Sequence, residues 1–104
     1  MTITAVHHVQ LAMPRGREDE ARAFYVGVLG FTEIPKPPNL AKRGGLWLTS
    51  GAADLHLGVE DDFRPAKKAH PALLVDDLAE VKRVCEAAGA SVTTDEPLEG
   101  YDRA

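Results

Sequence analysis

Residues 6–13, V-H-H-V-Q-L-A-M, have the length and β-rich apolar character of a strand. Alternation places Val9, Leu11 and Met13 on one side and His8, Gln10 and Ala12 on the other. Pro14 ends the run, because proline has no N–H to continue a ladder. R-G-R-E-D-E follows and puts acids where a helix N-terminus favours them. Ala21, Phe24, Tyr25, Val28 and Leu29 then recur at helical spacing, which predicts one amphipathic helix stopped by Gly30. F-T-E-I at 31–34 predicts a short strand, and K-P-P-N at 36–39 a loop. G-L-W-L-T at 45–49 and A-D-L-H-L-G-V at 53–59 predict a hairpin turning at Ser50-Gly51. E-D-D-F-R-P-A-K-K-A at 60–69 reads as a polar connection.

The pattern then starts again. H-P-A-L-L-V at 70–75 predicts a strand, and D-D-L-A-E opens a helix with Asp77 and Glu80 spaced for a capping box. Leu78, Val81, Val84, Cys85 and Ala88 make its apolar stripe, Gly89 ends it, and A-S-V-T-T at 90–94 predicts the next strand. His8-x-x-Leu11-x-Met13 therefore lies over His70-x-x-Leu73-x-Val75, and each unit runs strand, helix, glycine, strand. The first unit goes on into a hairpin. By the logic of a repeat, roughly 20 further residues of sheet are expected after Tyr101-Asp102-Arg103-Ala104.

At 104 residues the chain is expected to be one domain, with a first module over 5–60 and a partial second over 69–104. Its formal net charge of −4 argues against a general nucleic-acid surface. The single cysteine, Cys85, leaves no internal disulfide and fits a reducing compartment; with no signal-peptide pattern and no apolar run of membrane-spanning length, a cytoplasmic protein is expected.

Candidate chemistry comes from the strand faces. Val9, Leu11 and Met13, Leu55, Leu57 and Val59, and Pro71, Leu73 and Val75 are the sides that should pack under helices. His8, His56 and His70 all fall on the opposite sides, and His8 and His70 are repeat equivalents. Three imidazoles gathered in a cupped sheet would suit a divalent ion such as Zn, Ni, Mn or Fe. Their spacing carries no local signature, so the alternative is three hydrogen-bonded strand histidines. His7 falls on the packed side and is left out. Trp47 alternates with Leu46 and Leu48, facing as the histidines do, and could line a substrate cavity or fill the cup as core. Gln10 could orient a ligand beside His8. Arg64, Lys67 and Lys68 could attract an anion or form a solvated loop, and Arg43-Gly44-Gly45 reads as a loop over the cleft or a turn.

H-H-V-Q-L-A-M-P, A-R-A-F-Y-V-G-V-L-G-F and H-P-A-L-L-V-D-D-L resemble the vicinal-oxygen-chelate superfamily, the glyoxalase, bleomycin-resistance and extradiol-dioxygenase group. Phe24 to Phe31 is the most recognisable element, and the resemblance covers essentially the whole chain. It implies an α+β fold of paired βαβββ modules with a curled mixed sheet, the second module here truncated. It implies metal ligands from the first and last strands of each module, which assigns His8, His70 and, in L-H-L, His56, where glyoxalase-I-like members carry glutamate. The glutamate ligand of the final strand has no counterpart in this sequence, and no general base can be named. The activity implied is a metal-dependent lyase, isomerase or dioxygenase-type reaction on a small oxygen-chelating molecule, with Gln10 and Trp47 toward the substrate. The alternative is a metal-free drug-sequestering protein of the bleomycin-resistance kind. A small-molecule ligand and a homodimer are expected partners, with no nucleic acid and no membrane.

Overall fold

The computed structural model describes residues 1–104, which fall into two compact units, Met1–Ala72 and Leu73–Ala104. The first unit contains β1 (Val9–Met13), α1 (Glu18–Arg22) running on into a wider π segment (Ala23–Val28), β2 (Thr32–Ile34), α2 (Pro38–Ala41), β3 (Leu46–Ser50) and β4 (Ala53–Val59). The second contains α3 (Leu78–Ala87), β5 (Asp95–Leu98) and β6 (Tyr101–Arg103). This is the mixed α+β architecture that the resemblance implies.

The first unit is built on one four-stranded sheet in the order β1-β4-β3-β2. β1 runs parallel to β4, with Val9 opposite Leu55 and Met13 opposite Val59. β3 is antiparallel to both β4 and β2. The apolar face buries Met13, Leu46, Leu48, Leu55 and Leu57 together with Phe31. Ala21, Tyr25 and Leu29 of the helical stripe pack against that cluster, so α1 and the π segment cover one face of the sheet and leave the other open. The helix predicted over this stretch widens in its second half, where Leu29 N–H bonds the Phe24 carbonyl at 2.9 Å, an i to i−5 step. Gly30 at φ +78° then turns the chain into β2.

Two glycines show why the hairpin sits where it does. Gly51 takes φ +56° in the tight turn between Ser50 and Ala53, as expected. Gly45, at φ +83°, leads into β3 so close to β4 that a Cβ would stand 2.0 Å from the Leu57 carbonyl oxygen. Only glycine fits there. The predicted loop at 36–39 is partly helical, with Pro38 in the first helical position that proline favours.

In the second unit α3 starts as predicted: Asp77 accepts from the Glu80 N–H at 3.0 Å. The reciprocal half of the box is not made, because the Glu80 carboxylate pairs with Arg83 at 2.6 Å. α3 ends on Gly89 (φ +86°), with Ala90 N–H to the Cys85 carbonyl and Gly89 N–H to the Glu86 carbonyl, a Schellman closure. Two strand expectations fail. Residues 70–75 and 90–94 form no strand, and the hairpin lies instead at β5 and β6, which turn through Gly100. A strand exists only where a second strand takes up its N–H and C=O groups, and residues 70–75 have none; Leu74 is 84% exposed.

Replacing Gly45 by alanine is expected to cost about 3 kcal/mol or more in urea unfolding, from the clash and the positive φ together. Gly51→Ala, with nothing within 4 Å of the added carbon, should cost only about 1 kcal/mol. Equal losses would show that Gly45 does not control the β3–β4 approach.

Candidate functional site

The open face of the sheet is organised by its register. Ile34, Trp47, His56 and Gln10 are successive partners across β2, β3, β4 and β1, so they form one row. His8 precedes β1 and reaches over the same row. Its ring stacks on His56, with centroids 4.0 Å apart and planes at 16°. The other face of His56 stacks on Trp47 at 4.2 Å and 8°. His56 is thus held between His8 and Trp47, its direct partner across the antiparallel β3–β4 pair. Gln10 has room because its neighbour is Gly58, where a Cβ would lie 2.7 Å from the Gln10 amide nitrogen. Above this floor lies a cleft of about 670 Å³, of a size for a small organic molecule. Lys36, Leu40 and Arg43 form its wall, and Asp54 also lines it.

The electrostatics of the floor centre on His56. Its pKa is lowered from the usual imidazole value, first by burial and then by His8 and His7; Asp54 opposes the shift. His56 therefore favours the neutral form, which leaves a ring nitrogen free to accept or to ligate.

Of the predicted site residues, His8, Gln10, Trp47 and His56 all line the cleft. His70 does not. It is exposed on the connection after β4, and its Nδ1 lies 2.7 Å from the Lys68 carbonyl oxygen. Since a carbonyl only accepts, that nitrogen is the donor and Nε2 is left free. Arg64 and Lys67–Lys68 also lie away from the cleft, with Arg64 paired to Asp62 at 3.4 Å. His7 corrects the sequence reading. It lines the cleft, with its Nδ1 2.9 Å from that of His8. Strand alternation does not govern it, because β1 begins only at Val9. No group of three His, Cys, Asp or Glu side chains converges to hold an ion. His8 and His56 are two adjacent imidazole donors, a partial set whose parallel rings would have to turn to share one.

No family model matches the chain, and no curated protein matches it. Solved structures do. A glyoxalase family protein from Bacillus anthracis is 47% identical over 91% of this chain and 78% of its own, with a TM-score of 0.85. The chain belongs to the glyoxalase family, within the vicinal-oxygen-chelate superfamily. The same fold recurs in FosX, the fosfomycin resistance protein of Listeria monocytogenes, in a mutant complexed with Mn(II) and 1S,2S-dihydroxypropylphosphonic acid. That match is at 14% identity and a TM-score of 0.70, covering 98% of this chain and 79% of that one. TnmS3, an antibiotic binding protein from a Streptomyces species, is 26% identical with a TM-score of 0.55, covering 94% and 78%. In the glyoxalase-family chain no helix is long and apolar enough to cross a membrane.

Because Trp47 is the one tryptophan and stacks on His56, its fluorescence reports the charge of that ring. In chelator-treated protein the emission is expected to change with a midpoint below the ordinary imidazole pKa of about 6.5. The change should vanish in His56→Gln. A folded pKa below the unfolded one means the unfolded chain binds the extra proton first. This stability contribution is therefore complete above about pH 6.5 and is lost as pH falls through and below it. A midpoint above 6.5 would contradict the desolvated, stacked ring.

Proposed function

We propose that the chain is a small-molecule enzyme of the glyoxalase family that uses a divalent ion such as Zn, Ni, Mn or Fe. The reaction would be of lyase, isomerase or dioxygenase type. The observation that carries this reading is the contact of His8 with His56 in the floor of the cleft. Two nitrogen ligands from neighbouring strands are brought together there beside a cavity that fits a small ligand. His8 and His56 would hold the ion; His70, expected from the sequence as a third ligand, lies outside the cleft and is not part of this pair. A bound divalent ion supplies Lewis-acid stabilisation of negative charge developing on a substrate oxygen. The chain's own groups do the rest. Gln10 presents an amide to hydrogen-bond the substrate, and Trp47 with Ile34 and Leu40 gives it an apolar wall that excludes water. The metal complex of FosX, on the same fold, supports the choice of a divalent ion. The exposed Leu73, Leu74 and Val75 support the expected homodimer, taken here as cytoplasmic.

A second reading is a metal-free binding protein. The parallel His8–His56–Trp47 stack favours it, because it forms a flat aromatic floor without turning any ring. The antibiotic-binding TnmS3 supports it too.

Equilibrium dialysis against zinc and nickel, read by elemental analysis, separates the two. The enzyme reading expects close to one ion per chain, with affinity about tenfold or more lower in His8→Ala and in His56→Ala. Binding that is absent in the parent protein, or unchanged in both variants, would favour the metal-free reading.

A further inference from the structure

The chain has seven arginines. Six pair with carboxylates: Arg15 with Asp61, Arg17 with Glu20, Arg22 with Glu33, Arg64 with Asp62, Arg83 with Glu80 and Arg103 with Asp95. The seventh, Arg43, has no carboxylate partner, and it is the arginine that lines the cleft. A chain carrying sixteen acidic residues has left one guanidinium without a carboxylate partner in the lining of the cleft. We propose that Arg43 is the anion-recognition residue of this cleft, so that its small-molecule ligand carries a carboxylate or phosphoryl group. The inference takes only the location of the ligand from the function proposed above and does not depend on the metal.

The backbone under Arg43 is held on both sides. Its N–H bonds the Leu40 carbonyl at 3.1 Å, closing α2. The next residue, Gly44, receives the Lys36 ammonium on its carbonyl oxygen. Gly45 donates to Glu18 Oε1 at 3.3 Å and is seated against Leu57. The base of the side chain is thus fixed, while its end stays exposed and unpaired. Lys36, half-buried in the same wall, adds a second positive charge, with one of its N–H donors engaged by the Gly44 carbonyl. Asp54 is the one carboxylate lining the cleft, and it forms no ion pair with Arg43. The lining therefore carries two cations against one acid in a protein of net charge −4. Whole-protein charge repels anions, so affinity for them needs a local positive site, and this wall supplies one. The planar fork of arginine pairs both carboxylate and phosphoryl oxygens in a bidentate way, whereas lysine offers only a point charge.

Trp47 fluorescence gives the test. The probes are glycolate, methylphosphonate and glycolamide, the last matching glycolate in shape but neutral. The parent protein is expected to bind at least one of the two anions, and glycolamide about tenfold or more weaker than glycolate. Arg43→Gln should lower affinity for the bound anion about tenfold or more, and Arg43→Lys should recover part of it. Which anion binds tells carboxylate from phosphoryl. Thermal unfolding checks that both variants remain folded. Zinc binding is measured on the same samples. Anion binding that depends on Arg43 supports the proposal whether or not zinc binds, and failure of zinc binding alone counts only against the metal reading. Equal anion affinity in the parent and Arg43→Gln, glycolamide binding as tightly as glycolate, or no anion binding by the parent would overturn it.

Discussion

The parallel pairing of β1 with β4 decides what meets above the sheet. Val9 stands opposite Leu55 and Gln10 opposite His56, and the period of two then sorts every other side chain. The core leucines Leu55 and Leu57 go to the face covered by α1 and the π segment. His56 goes to the open face, within reach of His8. A slip of one residue in β1 would bring Leu11 and Val9 to the open face and bury Gln10. That cost in apolar burial locks the register, so the same force that forms the core also places the candidate ligands.

The cleft wall has a different origin. It depends on the connection between β2 and β3, where Pro38 opens a short helix and Gly44 and Gly45 take positive φ. Gly45 lets β3 approach β4 without a Cβ against the Leu57 carbonyl. Lys36 ties the two ends of that connection together and leaves Arg43 at the cleft. A rigid floor of stacked rings and a wall tied by backbone contacts make a preorganised pocket, the kind that favours small ligands. At 47% identity over most of its length, the Bacillus anthracis glyoxalase family protein shares this architecture, and belonging to that family leaves the reaction open.

Much of this was legible in the sequence. Alternation alone separated Val9, Leu11 and Met13 from His8 and Gln10, and put Trp47 with His56 rather than with Leu46 and Leu48. Glycine chemistry placed the ends at Gly30, Gly51 and Gly89. Other features were not legible, for physical reasons. An apolar run such as 70–75 shows which residues prefer burial but not whether a partner strand is there to accept its hydrogen bonds. His7 lies before the start of β1, where alternation does not govern which way a side chain faces. In the sequence Arg43 is only part of a loop; its freedom depends on which carboxylates the other arginines reach, and that is a property of three-dimensional pairing.

The most direct measurement is two-dimensional NMR of the imidazole ring nitrogens during a zinc titration. If β1–β4 pairing has assembled a ligand pair, the nitrogens of His8 and His56 shift together at the first equivalent of zinc. No shift at either ring, or shifts confined to His7 or His70, would contradict a site built on the contact between those two strands.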